Sequence, residues 1–274
     1  MKRCKKGRPM AGTHSDGGFG SRSVLENETT LTVAYRESFD KSQSVTGEDF
    51  LRASPVPLPL GRDGRQDAAD LFKSLFGPPE YVFAAWNRRM PAVLGRTIRT
   101  RREWEAVFAD LSHPIPILFL PNPISPVPSP TKNGKEMTLR GAKSILAFRH
   151  CAVELGDLPL SRQFAVWWRV REHLTALVGT GTGSLQALVR VDLPNLAAWN
   201  AVVRDELYPK RLAFLGCTPF CLCPTFLARV AGAGRALVTR QEVKTRPSEE
   251  VPPLVRQTLW YVKPELKSEI GGVL

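Results

Sequence analysis

Residues 145–155 read ILAFRHCAVEL and residues 185–191 read LQALVRV, and these two apolar runs decide the fold. The first run has the length and apolar content of a buried central strand. The second follows the glycine-rich run 179–184, GTGTGS, which separates it from another short strand. Apolar residues at helical spacing predict a helix over residues 160–174. Helices inserted between the strands of a small sheet indicate an α+β domain.

The residues before this core also alternate between helix and strand patterns. Apolar residues at helical spacing behind an N-cap at Asp67 predict a helix, and residues 81–86 predict a strand. Thr100 and Glu103 have the spacing of a capping box, which predicts the start of a second helix. Residues 115–120 predict a further strand, and the Pro-rich stretch that follows them predicts a loop.

Composition divides the chain of 274 residues into two parts. Residues 1–60 are rich in Gly, Ser, Thr and Arg and poor in large apolar residues, which predicts a disordered basic leader. Residues 61–274 are expected to form the folded domain. The longest apolar run is much shorter than a membrane span, and no apolar segment follows the basic N-terminus. We therefore expect a cytoplasmic protein with no membrane partner.

The net charge of +12, from 38 Lys and Arg against 26 Asp and Glu, favours a polyanionic partner. Between Glu80 and Glu103 the chain has six arginines and no acidic residue, which makes this segment the strongest candidate for binding the phosphates of a nucleic acid. The alternative is a solvated loop with scattered charge. The six residues are Arg88, Arg89, Arg96, Arg99, Arg101 and Arg102.

Acidic residues follow both apolar runs. Glu154 and Asp157 end the first strand, and Asp192 ends the second. If the three carboxylates meet at one edge of the sheet, they could hold two divalent cations, as in nucleotidyl transferases. The alternative is that strands simply end in polar residues. His150 lies inside the first strand, and we interpret it as a core residue.

Shorter motifs occur in a fixed order along residues 71–262. They include Ile98-Arg99-Thr100 with Trp104, Pro121-Asn122-Pro123, Thr131-Lys132 with Gly134-Lys135, Phe148-Arg149, Ala152-Val153-Glu154, Asp157-Leu158-Pro159-Leu160 with Gln163, Ser184-Leu185, Val189-Arg190-Val191-Asp192, Trp199, Arg229, Gly232 and Leu259-Trp260. In this order and spacing they resemble the archaeo-eukaryotic primase superfamily, in its bacterial and plasmid replication primase-polymerase branch.

The resemblance implies a primase-polymerase-like domain with a small RRM-like antiparallel sheet and flanking helices. The activity it implies is template-dependent nucleotidyl transfer in the DNA replication of a plasmid or other mobile element. Single-stranded template DNA, nucleoside triphosphates and a helicase would be the partners. The cofactor would be Mg²⁺ or Mn²⁺.

The resemblance also implies roles for individual residues. Metal binding and catalysis fall to Glu154, Asp157 and Asp192, and the template is held by the six arginines. Contacts to the incoming nucleotide fall to Ser184, Gln186, Lys132, Lys135 and Arg229.

Two positions depart from the family pattern. Gly156 stands where a second acid is expected, and Gln186 stands where a histidine is expected. A β-bulge at Gly156 could bring Asp157 onto the face of Glu154. Two alternatives to the enzyme therefore stay open: a catalytically inactive primase-like protein that binds nucleic acid, and a basic interaction module unrelated to nucleic acid.

Overall fold

The computed structural model describes residues 45–59, 61–131, 133–155, 158–212, 223–236 and 254–264, which form a mixed α+β fold with several small antiparallel sheets. In chain order the elements are α1 (Gly47–Ala53), α2 (Gly64–Leu75), β1 (Tyr81–Ala85), β2 (Ile98–Thr100), α3 (Arg101–Ala109), β3 (Leu118–Phe119), β4 (Ser129–Pro130), β5 (Met137–Thr138), β6 (Phe148–Glu154), α4 (Leu160–Arg169), β7 (Leu174–Gly179), β8 (Leu185–Leu193), α5 (Leu196–Trp199), a π-helix (Asn200–Leu212), β9 (Ala228–Arg229), β10 (Gly234–Ala236), β11 (Leu254–Arg256) and β12 (Thr258–Val262). The α+β prediction is confirmed.

The first sheet has the strand order β2-β1-β3-β9 and is antiparallel throughout. Helices α2 and α3 pack on it through an aromatic core in which Phe72 contacts Trp104, and the Trp104 indole N–H donates to the Val82 carbonyl at 2.9 Å. The predicted capping box at the start of α3 is present. The Thr100 hydroxyl accepts from the Glu103 backbone N–H at 3.2 Å, and the Glu103 carboxylate accepts from the Thr100 N–H at 2.7 Å.

The second sheet has the strand order β12-β7-β8-β6 and is also antiparallel. Strand β6, predicted to be central, is an edge strand. The fully buried Asn122 side chain covers its outer edge at Arg149 and His150. The Asn122 amide oxygen accepts from the N–H groups of Arg149 at 2.8 Å and His150 at 2.9 Å, and its Nδ2 donates to the His150 carbonyl at 3.0 Å. A side chain therefore replaces a further strand at this edge.

The ordered fold begins earlier than residue 61. Helix α1 lies within the segment predicted to be a disordered leader, but Phe50 is fully buried against the rings of Phe164, Trp168 and Tyr261. The prediction is therefore wrong for residues 45–59. An aromatic side chain in an otherwise polar stretch anchors them, which bulk composition does not reveal. Residues 1–44 lie outside the described residues.

Helix α2 also begins earlier than predicted. Its N-cap is Asp63, whose carboxylate accepts from the Arg65 N–H at 3.2 Å, and not Asp67. Asp67 is buried inside the helix, where Arg256 Nη2 donates to its carboxylate at 2.6 Å. Burial raises the pKa of the Asp67 carboxyl above its ordinary value, although the charges of Arg256 and Arg62 act in the opposite direction.

No helix in the described part of the chain is both long and apolar enough to cross a membrane.

Candidate nucleic-acid interface

The strand register separates the two described carboxylates of the predicted metal site. Strands β6 and β8 are antiparallel, with Glu154 opposite Gln186 and Phe148 opposite Leu193. Asp192 therefore lies beside the start of β6, whereas Glu154 lies at its end. Asp192 is six positions along strand β8 from Gln186, which corresponds to about 20 Å. The expectation that Glu154 and Asp192 meet at one edge is wrong.

The divalent metal implied by the family resemblance does not fit this pair. Carboxylates that share two cations about 4 Å apart must lie side by side, and these two lie at opposite ends of a strand pair. Asp192 is exposed, has a φ of 43° and forms an ion pair with Arg190 on its own strand. Among the described residues, there is no group of three or more His, Cys, Asp or Glu side chains that could hold a metal ion. Asp157 and Gly156, and with them the predicted bulge, lie outside those residues.

Four of the predicted site residues do come together, at the Glu154 end of the sheet. We call Glu154, Thr180, Ser184, Gln186 and Arg229 the polar end. The Ser184 hydroxyl donates to the Glu154 carboxylate at 2.6 Å, and the Thr180 hydroxyl lies 2.7 Å from the Ser184 hydroxyl. The alternation of side chains along β6 and β8 explains this grouping, because opposite residues in an antiparallel pair share a face.

Most of the polar end is buried. Ser184, Thr180 and Gln186 are buried, and Glu154 is partly exposed. The Gln186 side-chain oxygen accepts from the Arg229 backbone N–H at 2.6 Å, which joins β8 to β9 in the first sheet. Gln186 Nε2 is buried with no hydrogen-bond partner among the described residues. Most polar groups of the polar end hydrogen-bond to one another. The polar end therefore links the two sheets inside the protein.

The six sequence-predicted arginines do not form one cluster. Arg99 stacks its guanidinium over the Trp104 ring, 5.6 Å from the centroid, and Arg101 pairs with Glu105 at 2.5 Å along helix α3. Arg102 is exposed on the same helix. Arg88, Arg89 and Arg96 are exposed on the loop between β1 and β2.

Arg88 and Arg89 line an open depression of about 530 Å³. A third arginine of this depression, Arg140, was not predicted from the sequence. We call this surface the basic depression, and its lining residues are Arg88, Arg89, Met90, Pro91, Ala92, Thr138 and Arg140. None of the lining residues is acidic. Arginine guanidinium groups around a concave surface are the donor set that binds phosphate.

Arg140 is held in place by the first sheet. Its guanidinium lies over the Phe83 ring, 5.1 Å from the centroid, and Nη1 donates to the Arg88 carbonyl at 3.3 Å. Partial burial lowers the pKa of Arg140 from its ordinary value, but an arginine stays protonated in proteins. The sequence signal was weak, because Arg140 is far along the chain from Arg88. Of the two lysines that the resemblance assigns to the incoming nucleotide, Lys135 is exposed in the turn of the hairpin β4–β5, and Lys132 lies outside the described residues.

The loop that carries Arg88 and Arg89, residues 87–97, is braced from within, and we call it the basic loop. Thr97 is fully buried, and its hydroxyl donates to the Pro91 carbonyl at 2.7 Å and accepts from the Val93 N–H at 2.8 Å. Gly95 has a φ of +74°, which favours glycine, and its N–H donates to the Ile98 carbonyl at 2.9 Å. The loop therefore has a defined shape that fixes the arginines it carries.

Comparisons of the chain with known protein families, characterised proteins and solved structures give no match. The functional assignment therefore rests on the residues of this chain.

Proposed function

We propose that this protein binds single-stranded DNA through the basic depression, as a primase-polymerase-like protein that does not use Glu154 and Asp192 for two-metal nucleotidyl transfer. The observation that carries the proposal is the convergence of Arg88, Arg89 and Arg140 on one open surface with no acidic residue in its lining. Phosphate contacts from arginine dominate the affinity of nucleic-acid-binding proteins.

The order of elements in the second sheet supports the primase-polymerase part of the proposal. Strand β6, helix α4, strands β7 and β8 and then β12 give a small antiparallel sheet with helices inserted between strands, as the family resemblance implies. The separation of Glu154 from Asp192 favours the inactive relative over the enzyme. The nucleoside triphosphates, the helicase and the cytoplasmic location stay predictions.

The proposal is tested by fluorescence anisotropy with a labelled single-stranded oligonucleotide across a salt titration. Each phosphate contact that is lost lowers the slope of log K against log salt by about 0.7 for a single strand, so Arg88→Ala, Arg89→Ala and Arg140→Ala combined should lower it by about 2. Arg102→Ala is the matched control, because Arg102 is exposed but lies outside the depression. Binding that is independent of salt, or lost equally in the control, contradicts the proposal and favours the basic interaction module.

A second measurement addresses catalysis. With primed template, nucleotides and Mn²⁺, we expect that the wild type does not extend the primer in a reaction that requires Asp192. If the wild type extends the primer and Asp192→Asn abolishes extension, the inactive relative is the wrong choice and the enzyme is restored.

A further inference from the structure

Two large apolar side chains stand exposed at the tip of the basic loop. Val93 is 41 % exposed and Leu94 is 48 % exposed. Arg88 and Arg89 precede them in the loop and Arg96 follows them, and all three arginines are exposed. Single exposed apolar residues are common on protein surfaces. Here two of them lie next to each other, with exposed arginines on both sides.

The exposure of this pair is built into the loop. The Thr97 hydroxyl, which follows the tip, bonds back across it to the backbone of Pro91 and Val93, and Gly95, with a positive φ, comes immediately after Leu94. Because hydrogen bonds of the buried Thr97 hold the turn, the two side chains are kept outside the core. A loop without this brace could fold its apolar residues inward.

We propose that Val93 and Leu94 contact unstacked bases and so determine the selectivity of the basic loop for single-stranded over duplex nucleic acid. This inference rests on the proposed function. A single strand offers both phosphates and exposed base faces, whereas a duplex offers phosphates alone to a surface of this kind. The arginines bind the phosphates of both the single strand and the duplex, and the apolar tip adds affinity only for the single strand.

Charge complementarity favours nucleic acid as the occupant. Residues 87–97 contain three arginines, Arg88 and Arg89 before the tip and Arg96 after it, and the segment has no acidic residue. A nucleic acid presents a continuous row of negative phosphates to these arginines, whereas a protein surface that carries both charges would present positive groups to them as well. An anionic membrane surface has the same charge as nucleic acid, so it is included as an outcome of the test.

The experiment compares Leu94→Ser with Leu111→Ser by anisotropy on a short oligothymidylate and on a duplex of equal length. Leu111 is 80 % exposed beyond the end of α3, outside the basic loop, and makes a matched control. Loss of one apolar contact should weaken binding of the single strand by about five-fold in Leu94→Ser. Binding of the duplex and the salt slope should not change, because no phosphate contact is lost.

Each other outcome has a defined meaning. Equal loss on both ligands, or no loss, overturns the selectivity role and leaves the proposed function intact. Absence of binding to any oligonucleotide by the wild type overturns both. Sedimentation with phosphatidylserine vesicles that Leu94→Ser abolishes, without selective loss on the single strand, identifies a membrane contact and overturns the inference. Thermal unfolding of both variants should match the wild type, because the substituted side chains are exposed.

Discussion

The polar end and the basic loop are both organised by buried hydroxyl groups, but they leave their functional side chains in opposite states. At the polar end, the Ser184 hydroxyl bonds to the Thr180 hydroxyl and donates to the Glu154 carboxylate. In the basic loop, the Thr97 hydroxyl bonds only to backbone groups. The first arrangement occupies the side chains that family resemblance marks as ligands, and the second leaves Arg88 and Arg89 exposed.

This difference predicts that the polar end contributes to stability and that the basic loop contributes to binding. A buried hydrogen-bond network contributes to stability, because removing one partner leaves another polar group unsatisfied. Exposed arginines contribute little to stability and much to the binding of an anion. Substitutions at the polar end should therefore change the free energy of unfolding, and substitutions in the basic loop should change affinity for nucleic acid. A substitution at the polar end that changed only affinity, or a substitution in the basic loop that changed only stability, would contradict this comparison.

The largest expected effect is at Gly232, in the loop after β9 that connects to the polar end. Gly232 has a φ of +82°, and an added Cβ would lie 1.8 Å from the Gly64 carbonyl oxygen at the start of α2. Gly232→Ala should lower the free energy of unfolding by about 3 kcal/mol or more, from strained backbone and overlap with a neighbouring backbone atom. Urea denaturation measures this loss.

Gly134→Ala is the control for the backbone part of that effect. Gly134 also has a positive φ, +67°, but an added Cβ would have no neighbour within 4 Å. We expect a loss of about 1 kcal/mol from backbone strain alone. Equal losses in the two variants would show that the close approach of Gly232 to α2 does not matter.

A smaller effect is expected for Gln186→Leu. The change removes the acceptor of the Arg229 N–H, which costs about 1–3 kcal/mol, and also removes the buried Nε2 atom that lacks a partner, which offsets part of that cost. The net loss of stability should be about 1 kcal/mol. Affinity for a single-stranded oligonucleotide should stay within about two-fold of the wild type, because no phosphate contact is lost. A loss of affinity with unchanged stability would make Gln186 a ligand-binding residue.

Local features of the fold could be predicted from the sequence. The Thr100–Glu103 capping box and strand β1 depend on residues close together in the chain, and both are present. The position of Asp67 could not be predicted in this way. Its partner Arg256 is far along the chain, and a helix N-cap and a buried helical aspartate have similar local sequences.

The candidate site was predicted less well because it depends on strand direction. Glu154 and Asp192 each lie at or near the end of a strand, and the carboxyl ends of strands meet at one edge only when the strands are parallel. In the antiparallel pair β6–β8 they lie at opposite ends. The grouping of Ser184 with Glu154 follows from the same register. Arg140 joins Arg88 only through the packing of its guanidinium on Phe83, which no local pattern indicates.

The smallest effect concerns His150, which lies on β6 with Glu154 and is buried, whereas the arginines of the basic loop are exposed. Burial, together with the positive charge of Arg190, lowers the pKa of His150 to about 3. The His150 Nε2 lies 3.1 Å from the Thr175 hydroxyl. The unfolded chain, with a histidine pKa near 6.5, binds more protons than the folded one, so stability falls as pH decreases below neutrality.

Between pH 7 and pH 6 this linkage should remove about 0.7 kcal/mol from the free energy of unfolding. Urea denaturation at the two pH values should give this loss in the wild type beyond any loss in His150→Gln, which has no imidazole to protonate. Affinity for an oligonucleotide should change little, because the guanidinium groups of Arg88 and Arg89 stay charged at both values. If the two proteins lost stability equally, the pKa of His150 would not be lowered in the fold, and the prediction would be wrong.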